Sequence, residues 1–210
     1  MDLLTRPEFY LLWLCSMALQ SGGLFLTTNL ASMVKSRSGA EVTSVAAVTV
    51  FSCAQGLARL VTGSLSMKLV QSGLPRTWYF PAMMVVMAVG HAVLCISGPV
   101  ALLLGTALTG WAFGSVFPLL VLTLAEIFGK ARLASNYMIF DGSPGACGAF
   151  IFAVLLKDAV YNAHAGSDDI CHGDNCFRLS HAVIVAFQLL SAACGCCLCA
   201  RVRHVYQAIS

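Results

Sequence analysis

The chain has 210 residues, of which 59% are hydrophobic and only 10% charged, and its mean hydropathy is +0.84. Soluble domains carry about 25% charged residues, so this composition belongs to a polytopic membrane protein. A net charge of +3 without a basic run makes no case for nucleic acid.

The longest polar stretch, 157–178, is too short to bury a core of its own. The fold is therefore read as all-α, with every element a membrane helix or a short connection. A hydrocarbon layer of about 30 Å needs roughly 20 helical residues. Six apolar runs meet that length, at about 9–34, 42–70, 78–97, 99–124, 135–156 and 179–200. The first is far longer than a signal-peptide core of about 7–15 residues.

In the first span, Pro7 suits a helix start. Ser16, Gln20, Gly23 and Thr27 share one helical face that is too polar for lipid and must look into a bundle or a pathway. Asn29 lies near the far end. In the second span Ser52, Gly56, Arg59, Gly63 and Ser66 make a similar stripe. Arg59 could snorkel toward Lys68, pair with a buried acid, or meet an anionic solute, for which a planar guanidinium is suited.

The third span opens with Trp78 and Tyr79, aromatic residues fitting a membrane interface. Its His91 is a packed, hydrogen-bonded residue or a proton relay. The turn Ser97-Gly98-Pro99 leads into the fourth span, which has Gly110 and Gly114 at GxxxG spacing and then Pro118. The fifth has Asp141, Pro144, Gly145 and Gly148. Each proline frees the carbonyl four residues earlier, here Gly114 and Phe140. In lipid such groups need partners, so these helix breaks should face protein or a wet cavity. An acid at the depth of Asp141 is a functional candidate by default, the alternative being a satisfied acid in a kinked helix pair. The sixth span has His181, Gln188, Ser191 and Gly195 roughly on one face.

Arg6, Lys68, Arg76, Lys130, Arg132, Arg201 and Arg203 fall on one side, and Lys35, Arg37, Lys157 and Arg178 on the other. The excess puts both termini in the cytoplasm. The loop 157–178 is then extracytoplasmic, the tail 201–210 cytoplasmic, and the host membrane undecided between plasma membrane and endomembrane. That loop carries Asp158, Asp168, Asp169 and Asp174, with Cys171 and Cys176. An extracytoplasmic setting allows a Cys171–Cys176 disulfide. The alternative, a metal site on these thiols with His164 and His172, fits no standard zinc spacing. Cys194, Cys196, Cys197 and Cys199 beside Arg201 are juxtamembrane palmitoylation candidates, or small residues at a crowded helix end.

No phosphate-binding loop, nucleophile elbow, HExxH or dinucleotide fingerprint occurs in the chain. Scattered ionisable groups on membrane helices suit gradient-driven transport, not catalysis, and no cofactor or metal is expected. The partners expected are the bilayer and a small polar or anionic solute.

Several strings in order resemble one family. They are Leu3-Leu4-Thr5-Arg6-Pro7-Glu8-Phe9-Tyr10, Asn29-Leu30, Gly56-Leu57-Ala58-Arg59-Leu60-Val61-Thr62-Gly63 with Gly73-Leu74-Pro75-Arg76, Glu126-Ile127-Phe128-Gly129, Asn136-Tyr137, Pro144-Gly145, Cys171 to Cys176-Phe177, and Arg201-Val202-Arg203 with Val205-Tyr206-Gln207-Ala208. Together the chain resembles the C-terminal half of a nodulin-like transporter of the major facilitator superfamily. The resemblance implies one half of a twelve-helix bundle, built from two inverted three-helix repeats, with a solute site between the halves. Gln20, Arg59, Asp141 and Gln188 become pathway candidates, and Arg59, Arg76 and Glu126 candidates for a cytoplasmic gate, with Arg59 able to lock onto Glu126. One departure stands out, because Met67 follows Ser66 where the family's loop motif has an acid. A lone half would expose its polar faces to lipid. The chain is therefore expected to be a fragment, a truncated product, or a subunit pairing with a second six-span half. A non-transporting assembly or sensor subunit is the competing reading.

Overall fold

The computed structural model describes residues 3–37, 41–164 and 171–207, and all of its regular structure is helical. The helices are α1 (Pro7–Ser36), α2 (Glu41–Gln71), α3 (Tyr79–Leu94), α4 (Pro99–Phe128), α5 (Leu133–Gly148), α6 (Lys157–Ala163) and α7 (Asn175–Gln207). A π-helical stretch, Ala149–Leu156, joins α5 to α6 without a break, so they form one rod from Leu133 to Ala163. Six rods are thus long and apolar enough to cross a membrane. At 1.5 Å per residue, a rod of 30 residues is about 45 Å long and reaches past the hydrocarbon on both sides.

The boundaries have local causes. Arg6 is extended at the N-cap of α1 and Pro7 occupies the first turn, where a missing N–H costs nothing. A 3-10 turn, Arg76–Trp78, feeds α3. α3 ends at Leu94, short of the expected 97, because Gly98 takes φ 121° and turns the chain into Pro99. The last rod is longer than expected at both ends, which shortens the loop expected over 157–178. Residues 201–207, expected as a tail, continue α7 because Val202 and Tyr206 are buried in the core. Asp168 and Asp169 lie outside the described residues.

α1 is the central rod and packs against α2, α3, α4, α5 and α7. The broadest seam joins α2 to α4. It is close because Gly110 and Gly114 leave room for α2's backbone. A Cβ at Gly110 would sit 2.7 Å from the carbonyl oxygen of Phe51. Gly148 does the same for α1, where a Cβ would lie 2.6 Å from the Cβ of Ser21. Such small-residue contacts are the usual way membrane helices gain packing. One end of the bundle, the basic end, holds Lys68, Lys130, Arg132, Arg201 and Arg203. The opposite end holds the loop with Cys171 and Cys176.

Candidate functional site

Ser16, Gln20 and Gly23 of the α1 stripe are buried in the bundle, while Thr27 at its far end is exposed. Ser16 donates to the Phe140 carbonyl at 2.9 Å, and Gln20 Nε2 donates to the same oxygen at 3.1 Å and to Ser16 Oγ at 2.9 Å. This is the carbonyl that Pro144 frees in α5. The break is therefore clasped by protein across the α1–α5 seam, and Gln20 is buried there. Gln188 is also interior: fully buried, it donates from Nε2 to the Ala18 carbonyl at 2.6 Å, tying α7 to α1. Both glutamines, expected along the pathway, each spend an amide N–H on a carbonyl of the bundle.

The stripe of α2 behaves differently. α2 is the least covered rod: 22% of its apolar window is buried, against 72% for α1. Arg59 is exposed on it and lies over the ring of Phe117 from α4, 4.2 Å from the centroid. A cation stacked on an aromatic face is held by the ring's quadrupole. Asp141 is half-buried on α5 and makes no ion pair among the described residues. The charges of Arg59 and Asp141 both act on the phenol of Tyr137, which places the three side chains in one neighbourhood. Pro118 interrupts α4 one residue beyond Phe117. Arg59 and Phe117 thus form a cation–aromatic contact on the open side of α2 and α4, with Tyr137 and half-buried Asp141 of α5 within electrostatic range.

At the basic end a second cluster crosses four segments. Arg76 is only 2% exposed, and its Nη2 lies 2.9 Å from Glu126 Oε1. Its Nε also reaches both carboxylate oxygens, at 3.1 and 3.2 Å, and its Nη1 donates to Ser66 Oγ at 2.8 Å. The Tyr206 hydroxyl donates to Glu126 Oε2 at 2.7 Å. The lock weighed from the sequence between Arg59 and Glu126 is not formed; Arg76 takes that place because the 3-10 turn carries it back beneath α2. Met67, standing where the family's motif has an acid, puts its sulfur 3.9 Å from Arg76 Nη2. Glu126 and Ser66 then supply the polar partners of a guanidinium that could not be buried alone.

At the opposite end Cys171 and Cys176 are joined by a disulfide. This removes both thiols from the metal site considered with His164 and His172. The bridged loop is pinned to the bundle: Gly173 N–H donates to the Ser36 carbonyl at 2.7 Å, Asp174 pairs with Arg37 at 2.9 Å, and Ser97 donates to Asp174. Of the cysteines near the end of α7, Cys196 and Cys197 are exposed, Cys194 is half-buried and Cys199 is buried.

Sequence reasoning missed one contact altogether. His91 of α3 and His181 of α7 are both fully buried, with their Nδ1 atoms 2.9 Å apart. His91 is a lone histidine on an apolar helix and His181 lies on the polar face of its own, but nothing local says that the two meet.

Six apolar rods, five of them packed around the sixth, two carrying interior prolines, with ionisable side chains on one open face, define a multi-pass membrane domain of the transporter kind. The family model described as "NFD4, C-terminal domain" matches residues 2–208, and the chain belongs to that family, a nodulin-like branch of the major facilitator superfamily. It is also similar to a probable transporter, mch1, of Emericella nidulans, at 35% identity over 77 residues. That alignment covers 35% of this chain and 12% of the relative. No solved structure matches.

Proposed function

We propose that this domain lines one side of a path for a small polar or anionic solute, moved by secondary-active transport together with a second six-span half. The observation that carries the reading is the Arg59–Phe117 contact on the least covered face of the bundle, with Tyr137 and Asp141 within electrostatic range. Ionisable groups at that position are costly against acyl chains and cheap against water or a facing half. Arg59 would meet an anionic group of the solute, and Asp141 would contact the solute or a proton. The Arg76–Glu126–Tyr206 cluster would act as the gate on the cytoplasmic side. In this orientation both termini are cytoplasmic, the disulfide loop is outside, and exposed Cys196 and Cys197 are the acylation candidates.

The test is solvent access at single spin labels in a cysteine-depleted background. Labels at Ser52 and Gly56, on the Arg59 side of α2, are expected to meet a water-soluble relaxation agent. Labels at Val85 and Val89 of α3, exposed on the outer side, are expected to meet oxygen dissolved in lipid. The reverse pattern would overturn the proposal. The Met67 departure favours a second reading, a subunit that pairs without transporting. Crosslinking in native membranes, together with solute uptake by the paired species before and after Arg59→Ala, separates the two.

A further inference from the structure

The two buried histidines form an arrangement that an inert packing pair would not need. The Nδ1–Nδ1 distance of 2.9 Å requires one ring to donate N–H and the other to accept. The donor ring therefore leaves its Nε2 as a bare acceptor, and the acceptor ring carries its proton on Nε2. Both Nε2 atoms are buried and neither makes a well-formed hydrogen bond, although the Gly22 backbone of α1 lies near the His91 ring. A bare acceptor and an unmatched N–H thus flank a bond that is already made. Orphaned buried polar atoms of this kind call for an explanation beyond packing. The surroundings keep the pair rigid. Phe25 of α1 stacks edge-on against His181 at 5.4 Å and lies 6.1 Å from His91.

We infer that the His91–His181 pair is a single-proton site: it takes up one proton on the free Nε2 of the donor ring and keeps its N–H···N bond while doing so. The chemistry balances without any co-reactant. A proton from water adds to the lone pair of that Nε2, giving one imidazolium whose Nδ1–H still donates to the neutral partner. A second proton would have to occupy the acceptor nitrogen itself, leaving two N–H groups face to face at 2.9 Å and breaking the link between α3 and α7. The pair therefore counts to one.

The charged and titratable groups around it are few. Arg37, at the C-cap of α1, is near enough to act on His181, and Asp174 from the bridged loop pairs with Arg37. Arg178 lies one turn before His181 on α7 but is exposed. Cys95, at the C-cap of α3, touches the carbonyls of His91 and Arg178. From α1 the facing residues are Gly22 and Phe25, which carry no charge. His91 lies within a turn of the end of α3, and His181 less than two turns from the start of α7. The site thus sits just beneath the Arg37–Asp174 pair, so protons would arrive from the disulfide end. This inference stands apart from the transport reading and does not need it.

The experiment is nitrogen NMR of the full chain in lipid, with 15N-labelled histidine and His164, His172 and His204 replaced by Gln. A through-hydrogen-bond coupling between the two Nδ1 nuclei is expected. Titration from about pH 4 to about pH 9, spanning the ordinary imidazole value of about 6.5, is expected to show uptake of one proton per chain with that coupling retained. His91→Gln and His181→Gln, which keep a polar side chain, should each abolish the coupling and the shared step. Two independent protonation steps, the absence of any coupling, or a pair that stays neutral throughout would each overturn the inference.

Discussion

The clasp on the Phe140 carbonyl can be tested by giving that carbonyl back its natural donor. Pro144→Ala restores an N–H four residues along, so Phe140 regains an intrahelical partner and no longer depends on Ser16 and Gln20. In the native background, Ser16→Ala or Gln20→Leu alone leaves the other donor in place. Each single change should cost about 0.6 kcal/mol, and at most about 1.7, the range for interhelical hydrogen bonds in membranes. The double change orphans a buried carbonyl and should cost about 1–3 kcal/mol beyond the loss of the bonds themselves. In the Pro144→Ala background that extra penalty should vanish. The assay is reversible unfolding in mixed micelles read by helicity, arranged as a cycle so that any straightening of α5 cancels. Equal cost of the double change in both backgrounds would refute the reasoning.

Arg76→Met should destabilise by about 3–5 kcal/mol because Glu126 is left without its cation, while Arg76→Met with Glu126→Leu should cost less than Arg76→Met alone; the same unfolding assay checks the order. Gly114→Val should weaken the α2–α4 seam by about 1–3 kcal/mol, since a Cβ there would meet the backbone of Gln55. Gly56→Val on the open side of α2, where a Cβ meets nothing, should be nearly neutral in the same measurement. Cys171→Ser with Cys176→Ser should cost about 2 kcal/mol, the loop-closure value for a bridge of sequence separation 5. It should also raise exchange at the Gly173 amide.

The parts of the bundle legible in the sequence are those where one residue type acts alone. Gly110 and Gly114 announce a close seam because only a missing Cβ permits one. Pro144 announces a freed carbonyl because the ring removes a donor wherever it sits. Arg76 was harder. It follows a loop, so its reach depends on the 3-10 turn that carries it back beneath α2, and Arg59 looked the better placed cation for Glu126. The His91–His181 contact is out of reach, since 90 residues separate the two and neither helix names the other as its partner.

The same limit explains why two similar polar stripes came to opposite ends. A stripe of Ser, Gln and Thr on a membrane helix says that something other than lipid lies against it, and no more. Whether that something is protein or water depends on how many unmet acceptors the neighbouring helix presents. Opposite the stripe of α1, α5 presents a carbonyl freed by Pro144, and Ser16 and Gln20 are consumed by it. Opposite Arg59, α4 presents the face of Phe117, which holds a cation in place but leaves its five N–H donors free to bond elsewhere. A guanidinium held, among the described residues, by stacking keeps its hydrogen-bonding capacity. Of Gln20, Gln188 and Arg59, Arg59 alone is exposed with its donors unspent among the described residues, and it is therefore the residue we propose as the solute contact.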